Sequence, residues 1–198
     1  MIRNSNGATS APVTARTAHR TLELTSGKAQ IVVVADTHSR PHPNSHAQIA
    51  AERPDYIVHA GDIGDLSVLS DLEKIAPLLA IRGNIDAPVE DVPEALTVEL
   101  SVPNRAATRI LIVHIGVNGP KLRGEVAALA RRERAGLVIC GHSHVPFIGS
   151  DKGLVVFNPG SMGPRRFQLP IVFGVMQIDA QGIRMRHIDC ETGQTWLP

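Results

Sequence analysis

The sequence is poor in cysteine, in aromatic residues and in excess charge of either sign. Its two cysteines, Cys140 and Cys190, lie far apart and indicate neither a disulfide framework nor a thiolate metal site, so a reducing compartment fits. Aromatic residues make up 3% of the chain, too few for a platform that stacks nucleic-acid bases. The formal net charge of +1 gives no sign of a basic nucleic-acid groove. No apolar run approaches the roughly 20 residues that span a bilayer. We therefore expect a cytoplasmic protein that binds neither nucleic acid nor a membrane.

The first 27 residues differ in composition from the rest of the chain. They are rich in Ser, Thr, Ala and Asn, and the first acidic residue is Glu23. An acid-poor start that contains Arg and Ser can be a transit peptide. A flexible tail, or an added edge strand around residues 21–24, is the preferred interpretation. Residues 28–198 are predicted to form a single domain, since a chain of 198 residues can bury one sizeable core.

Apolar runs and helical periodicity alternate through the first two thirds of the chain, and strands dominate the last third. The predicted strands are 30–35, 56–58, 78–81, 96–102, 109–113, 137–140, 154–157, 171–178 and 183–188. The predicted helices run from residue 44 or 45 to 52, from 65 to 76 and from 121 to 134. In the second helix, Leu66, Leu69, Leu72 and Ile75 share one face and are expected to pack in the core. The pattern predicts an α/β fold with mixed sheets.

Five of the predicted buried strands end in oxygen or imidazole donors. These donors are Asp36, His38, Asp62, Asn84, His114, His142 and His144. Sites in α/β sheets gather beyond the carboxyl ends of the strands. Carboxylate combined with imidazole suits Mn, Fe, Co, Ni or Zn better than Ca or Mg. Seven donors are too many for one tetrahedral zinc ion, and they suit two metal ions that share a carboxylate and act on a phosphoryl group.

The donors lie in five spaced blocks. The blocks are Asp36-x-His38, Gly61-Asp62-x-x-Asp65, Gly83-Asn84-x-Asp86, His114 and Gly141-His142-x-His144. Their order resembles the signature of the calcineurin-like metallophosphoesterases. Together with the segments 58–62, 82–84 and 158–161, and the short chain, they resemble the small YfcE-type phosphodiesterases of that superfamily. The resemblance extends from residue 30 to about residue 188.

The resemblance implies a four-layer αββα sandwich with a dinuclear metal centre. One ion would be bound by Asp36, His38, Asp62 and His144, and the other by Asp62, Asn84, His114 and His142. Asp62 would bridge the two ions. Manganese is the favoured ion, with Ni, Co, Fe and Zn left open.

The resemblance also implies the activity. A hydroxide that bridges the ions would attack a small phosphate-ester substrate in line, and a phosphodiester is the favoured substrate. Asp62, Asn84, His114 and His142 would position the hydroxide and the phosphate. A phosphomonoesterase and a non-catalytic scaffold of the Vps29 kind remain alternatives. Relatives often form oligomers, so a homo-oligomer is a further expectation.

Residues around the donors are assigned supporting roles. Asp65 and Asp86 are expected to orient ligands or loops, and Asn158, Ser161 and Arg165 to lie near the substrate, with Arg166 as an alternative to Arg165. Two departures from the family pattern stand out. Many members of the superfamily have a histidine where this chain has Ile85, and many have His-Gly-His where this chain has His114-Ile-Gly116.

Three other features are given structural interpretations. His59 is expected to be a packed or hydrogen-bonded core histidine, and Cys140 a small core residue. The basic cluster at residues 131–134 is expected to be a solvated helix face.

Overall fold

The structure, a computed structural model, describes residues 17–197 as two six-stranded sheets, a small two-stranded sheet and three helices. The strands are β1 (Ala18–Glu23), β2 (Lys28–Val34), β3 (Tyr56–Ala60), β4 (Leu78–Ile81), β5 (Ala95–Ser101), β6 (Thr108–Val113), β7 (Val117–Asn118), β8 (Lys121–Leu122), β9 (Leu137–Ile139), β10 (Phe147–Asp151), β11 (Leu154–Asn158), β12 (Val172–Asp179), β13 (Gly182–Asp189) and β14 (Thr195–Trp196). The helices are α1 (Ser45–Ala51), α2 (Ser67–Glu73) and α3 (Gly124–Arg132). Within the described part of the chain, none of the helices has the length and apolar character needed to cross a bilayer.

Each large sheet contains a group of three neighbouring parallel strands. The first sheet has the order β1-β5-β6-β9-β11-β10, and the second has the order β14-β13-β12-β2-β3-β4. Strands β6, β9 and β11 run parallel in the first sheet, and β2, β3 and β4 run parallel in the second. Because the carboxyl ends of parallel strands meet at one edge, the loops that follow these strands converge.

Three apolar clusters define four layers. The alternation of side chains along each strand sends one set to each face of a sheet. Ile31 and Val33 of β2 pack with Ile110 and Ile112 of β6 in a core between the two sheets. The opposite face of β2 packs against Ile49 of α1 and Leu72 of α2, among others. The outer face of the first sheet packs against α3. The αββα sandwich predicted from the resemblance is confirmed.

The predicted second helix differs from the observed one in length and in its buried face. It is shorter, and Leu66 lies just before it with 44% of its surface exposed. The buried residues of α2 are Val68 and Leu72, while Leu69 and Ile75 are only partly buried. The expectation that Leu66 packs in the core is therefore wrong.

The predicted third helix begins later than its periodicity indicated. Residues Lys121–Leu122 form β8, which pairs with β7 in a two-stranded sheet. The helix starts only at Gly124. Strands β10 and β14 were not predicted, because β10 has no buried residue and contains Gly149, Ser150 and Asp151 in place of an apolar run, and β14 is two residues long.

The first sheet gains its edge strand from the segment before residue 27. Ala18–Glu23 forms β1, which pairs in parallel with β5 from Ala18 opposite Leu96 to Glu23 opposite Ser101. An added edge strand was one of the interpretations of this segment. Residues 1–16, to which the tail and transit-peptide interpretations also apply, lie outside the described residues.

Candidate metal centre

The loops that carry the predicted ligands have an unusual backbone conformation. Five of the seven predicted ligands have positive φ angles: Asp36 (55°), His38 (46°), Asp62 (54°), His142 (68°) and His144 (59°). L-residues adopt this left-handed region rarely, and Asp, Asn and His adopt it more readily than most. Backbone conformations of this kind cluster at functional sites, where the surrounding structure holds them in place.

Two glycines allow the loops to approach the ligands closely. A Cβ atom on Gly83 would lie 2.1 Å from Oδ1 of Asp62 and 2.2 Å from its backbone nitrogen. A Cβ atom on Gly61, which has a φ angle of 92°, would lie 2.7 Å from Nδ1 of His114. Only glycine fits at these two positions without displacing a ligand.

Asp36, His38 and His144 form the first group of donors, with one donor atom from each lying within 4.8 Å of the others. Nε2 of His144 is 3.5 Å from Oδ1 of Asp36 and 3.4 Å from Nε2 of His38. The two imidazole rings are stacked with their centroids 5.3 Å apart. Two imidazoles and a carboxylate therefore face a common point.

Asp62, His114 and His142 form the second group, which satisfies the same distance limit. Nε2 of His114 lies 3.1 Å from Oδ1 of Asp62. The rings of His114 and His142 meet edge to face, with centroids 5.3 Å apart. This group again combines two imidazoles with one carboxylate.

The carboxylate of Asp62 faces both groups. Its Oδ1 is the oxygen beside His114, and its Oδ2 lies 3.9 Å from Nε2 of His38. Nε2 of His114 is in turn 4.0 Å from Oδ1 of Asp36. Asn84, the remaining predicted ligand, follows Gly83 in the loop that packs on Asp62, and it is exposed. The arrangement places Asp62 between the two groups.

Burial and neighbouring charges set the protonation of these side chains. Burial lowers the pKa of His38, His142 and His144, that of His144 to about 4, so their imidazoles are neutral. Burial acts to raise the pKa of Asp62, but the adjacent His114 overcomes it and lowers the pKa to about 2. Neutral imidazoles and an ionised carboxylate are the forms that bind a metal cation.

The two remaining groups are deeply buried and influence one another. Burial raises the pKa of Asp36 to about 7. For His114, burial acts to lower the pKa, but the neighbouring Asp62 and Asp36 raise it above its usual value. A cation bound here would offset the cost of burying these carboxylates.

His114 provides a direct test of whether the site fits a metal ion. Its Nδ1 lies 2.8 Å from the carbonyl oxygen of Ala60, which requires Nδ1 to carry the proton. Its Nε2 is buried 3.1 Å from Oδ1 of Asp62 and, within the described part of the chain, has no hydrogen bond of good geometry. A buried lone pair beside two carboxylates is suited to a metal ion, and backbone carbonyls commonly hold ligand histidines in this tautomer. The donor set therefore fits two divalent ions of the transition series.

Asp86 holds two of the ligand loops together. Its carboxylate accepts hydrogen bonds from the backbone N–H groups of Ile63 (3.1 Å) and Gly64 (2.9 Å) in the Asp62 loop. It also accepts one from the N–H of Gly83 (2.7 Å) in the next loop. This contact fixes the position of Asn84 relative to Asp62.

Asp65 has a more local role than predicted. Its carboxylate accepts a hydrogen bond from the N–H of Ser67, the first residue of α2, at 2.8 Å. Its own N–H donates to Oγ of Ser39 at 2.8 Å. Asp65 thus stabilises the turn that leads into α2, and its carboxylate makes no hydrogen bond to a predicted ligand among residues 17–197.

Asn158 and Ser161 support the loops from the opposite side. The buried amide of Asn158 donates to the carbonyl of Gly141 (2.8 Å) and to Oγ of Ser143 (3.1 Å), on either side of His142. The hydroxyl of Ser161 donates to the carbonyl of Asp36 at 3.0 Å. Both residues therefore position ligand loops, and neither is aimed at the substrate by these contacts.

The two arginines that follow are placed differently. Arg165 donates to the carboxylate of Glu191 and to the carbonyl of Leu169 (2.8 Å), which turns it away from the donors. The guanidinium of Arg166 lies 3.2 Å from Nε2 of His38. The structure therefore puts Arg166 beside the centre in place of Arg165.

Sequence reasoning did not identify the contact that links the first two ligand loops. The hydroxyl of Thr37 donates to the carbonyl of Ile63 (2.9 Å) and so accepts from Nε2 of His59 (3.0 Å). Nδ1 of His59 accepts from the N–H of Gly61 at 3.2 Å. His59 is fully buried, as expected for a core histidine, and it connects the Asp36 and Asp62 loops. The only signal for Thr37 was its position between two predicted ligands.

The geometry agrees with comparison of the whole chain with known families. Residues 30–181 match the calcineurin-like phosphoesterase superfamily domain. The chain belongs to this superfamily. The resemblance noted in the sequence is therefore confirmed, and it makes the protein a member of a family of phosphoric ester hydrolases that use divalent metal ions.

Individual relatives agree with this membership. A probable metallophosphoesterase of Methanothermobacter thermautotrophicus is 30% identical over 85% of this chain and 94% of its own. An archaeal protein described as a novel phosphodiesterase shares 19% identity with a TM-score of 0.59, covering 81% of this chain and 99% of its own. Vps29 of Entamoeba histolytica in complex with Zn²⁺ shares 18% identity with a TM-score of 0.66, covering 84% and 96%. The two solved structures have the same fold as this chain.

Proposed function

We propose that the protein is a metal-dependent phosphodiesterase with two divalent ions, manganese first among them, as cofactors. The observation that carries the proposal is the pair of three-donor groups with the carboxylate of Asp62 facing both. One ion would be held by Asp36, His38 and His144, and the other by His114, His142 and Asn84. Asp62 would be shared.

The residues of the chain prepare this centre for a phosphate ester. Two bound divalent ions supply a hydroxide nucleophile at neutral pH and positive charge for phosphoryl oxygens. His114, held by the carbonyl of Ala60, directs its lone pair toward the space beside Asp62. The exposed position of Asn84 and His142 opens the second group to substrate, while Asp36 stays fully buried.

Arg166 is suited to bind the phosphate itself. Its guanidinium is the charged group beside His38, and its charge acts to lower the pKa of His38, His142 and His144. Guanidinium groups bind phosphate oxygens through paired N–H donors. Arg166 would orient a diester against the centre and stabilise the charge that develops during displacement.

Ile85 limits the leaving groups that the enzyme can expel. Its side chain is 49% exposed in the loop beside Asn84, and it has no proton to donate. General acid catalysis typically contributes roughly 10²–10⁴-fold. We therefore expect nitrophenyl diesters to be hydrolysed much faster than alkyl diesters, and equal rates for the two would count against this assignment.

The test is a metal-reconstituted screen of the full chain. Apo protein is loaded in turn with Mn, Ni, Co or Zn and assayed against bis(4-nitrophenyl) phosphate, 4-nitrophenyl phosphate and cyclic nucleotides. We expect the diester to be the better chromogenic substrate. His142→Ala should lose turnover while keeping its melting transition.

The same screen separates the alternatives. Faster hydrolysis of the monoester would make the protein a phosphomonoesterase. Metal binding without turnover of any ester would make it a scaffold, and this outcome needs its own arm because a Vps29 structure also contains Zn²⁺. Metal binding alone therefore does not decide between enzyme and scaffold.

A further inference from the structure

A cavity lies at the end of the sandwich opposite the metal centre. Its volume is about 620 Å³, within the range of about 300–1,000 Å³ typical of small-molecule sites. It is lined by residues near the start of three strands that run toward the metal centre: Arg109 on β6, Leu137 on β9 and Val155 on β11. His114, just beyond the end of β6, comes five residues after Arg109, which corresponds to about 17 Å at about 3.3 Å per residue.

The floor of the cavity is an open end of the core between the two sheets. Leu137 and Val155 come from one sheet, and Ile183 and Met185 come from β13 of the other. Val155, Ile183 and Met185 are only partly buried and pack against the core between the sheets. An apolar group placed here would continue that core and bury surface that now faces solvent.

The rim of the cavity is positively charged. Arg105, Arg109 and Arg134 line it together with a single carboxylate, that of Glu99. Arg109 is paired with Glu99 at 2.6 Å. Arg105 donates only to the hydroxyl of Thr108 (3.4 Å), and Arg134 has no ion pair within the described part of the chain. Among residues 17–197, two guanidinium groups at the rim therefore lack a carboxylate partner.

An adjoining cavity of about 320 Å³ extends this charge. It shares Glu99, Arg109 and Arg134 with the first cavity, and it adds Arg20, Arg132 and one further carboxylate, that of Glu133. Arg132 is paired with Glu133 at 3.2 Å, whereas Arg20 donates to the carbonyl of His19 (3.1 Å). The basic cluster at residues 131–134, interpreted from the sequence as a solvated helix face, thus contributes Arg132 and Arg134 to a concave basic surface.

We propose that this cavity binds a small amphipathic anion. The apolar body of the ligand would enter between the sheets against Val155, Ile183 and Met185, and its anionic head would meet Arg105 and Arg134. Carboxylate, sulfonate and phosphate heads all match guanidinium donors. The site is separate from the metal centre and does not depend on the proposed hydrolysis.

A matched pair of fluorescent probes tests the proposal on the full, metal-loaded chain. The probes are 8-anilinonaphthalene-1-sulfonate, which is anionic, and N-phenyl-1-naphthylamine, which has the same rings without the sulfonate. We expect the anionic probe to bind at one site per chain and more tightly than the neutral one. Decanoate should displace it, whereas decanol at the same concentration should not.

Variants locate the binding. In the double variant Arg105→Gln/Arg134→Gln, affinity for the anionic probe should fall at least about tenfold, as for the loss of charged hydrogen bonds, while affinity for the neutral probe stays within about twofold. Val155→Phe, which narrows the apolar floor of the cavity, should lower the affinity for both probes. Arg131→Gln is the matched control, because Arg131 lies at the same helix end but outside the cavity lining.

Several outcomes would overturn the proposal. If the double variant binds the anionic probe as tightly as the wild type does, the probe binds outside this cavity. If decanoate and decanol displace the probe equally, the site does not recognise an anionic head. If the His142→Ala variant no longer binds the anionic probe, the probe binds at the metal centre. Binding is scored only for variants whose melting transition matches that of the wild type, because loosely packed states also bind this dye. Diester turnover should be the same in the double variant as in the wild type.

Discussion

Asp86 offers a sharp prediction about how the ligand loops are held together. In Asp86→Ala, the backbone N–H groups of Ile63, Gly64 and Gly83 each lose their acceptor. The first two belong to the loop that carries Asp62, and the third precedes Asn84. The substitution should therefore loosen two ligand loops at once without altering any ligand side chain.

The cost follows from the three lost hydrogen bonds. A hydrogen bond contributes about 1 kcal/mol net, and one to a charged group contributes about 1.5–3 kcal/mol. Asp86 is partly exposed, so water replaces some of each loss. We expect a loss of about 3 kcal/mol in the free energy of unfolding. At roughly 2–4 °C per kcal/mol for a chain of this size, the melting temperature should fall by roughly 6–12 °C.

The assay combines thermal unfolding with metal analysis of the same samples. Asp86→Ala should bind the ion beside Asn84 more weakly than the wild type does. Diester turnover should fall as this ion is lost. The matched control is Asp65→Ala, because Asp65 makes a single exposed hydrogen bond at the start of α2. That control should show a clearly smaller fall in melting temperature and keep its metal ions. The reasoning would be refuted by an Asp86→Ala protein that melts like the wild type and retains both ions.

Three further predictions concern neighbouring positions. Gly83→Ala would bring a Cβ atom to 2.1 Å from a ligand oxygen, so diester turnover should fall at least about tenfold, while Gly124→Ala, where nothing lies within 4 Å of the added atom, should be neutral. Burial lowers the pKa of His59 from its ordinary value of 6.5 to about 3, so the unfolded chain binds the proton first and stability is lost as pH falls from about 6.5 toward 3. Between pH 7 and pH 5, the free energy of unfolding should therefore fall by about 2 kcal/mol less in His59→Gln than in the wild type, as measured by denaturant unfolding. An unchanged pH dependence would contradict the assignment. Arg166→Ala should raise the KM for a phosphodiester and weaken inhibition by inorganic phosphate without changing metal content, whereas Arg165→Ala should change neither; equal effects of the two would exclude the phosphate role.

The ends of the parallel strands were the most predictable part of the molecule. Each of β2, β3, β4, β6 and β9 reads as an apolar run followed by a donor, and parallel strands bring such ends to one edge. The local sequence is therefore enough to place Asp36 and Asp62 near one another, whereas His114 follows a strand of the other sheet and joins them because the two sheets stack. The four-layer architecture came from the family resemblance, because the pattern of strands and helices alone predicts only an α/β fold with mixed sheets.

The contacts between loops were less predictable, because they depend on tertiary structure. The sequence marked Asp65 and Asp86 as equivalent supporting carboxylates. In the folded protein Asp65 stabilises the turn before α2, and Asp86 holds two loops together. Similarly, nothing in the sequence separates Arg165 from Arg166. An ion pair with Glu191, 26 residues later, is what turns the first away.

The basic cavity could not be predicted from any single stretch. Its lining comes from both sheets and from the segment after α3, and its arginines are spread from residue 105 to residue 134. The net charge of +1 conceals this local excess because acidic residues elsewhere balance it. Composition reports the sum of the charges, whereas a binding site depends on where they lie.

The central claim is that Asp62 is shared by two metal ions that make the protein a phosphodiesterase. The most direct test measures metal content and bis(4-nitrophenyl) phosphate turnover together in the wild type, Asp62→Ala and Asn84→Ala. The account predicts two ions per chain and turnover in the wild type, loss of both ions and of turnover in Asp62→Ala, and weakening of one ion in Asn84→Ala. Turnover retained by Asp62→Ala, or a wild-type chain that binds two ions and hydrolyses no phosphate ester, would contradict it.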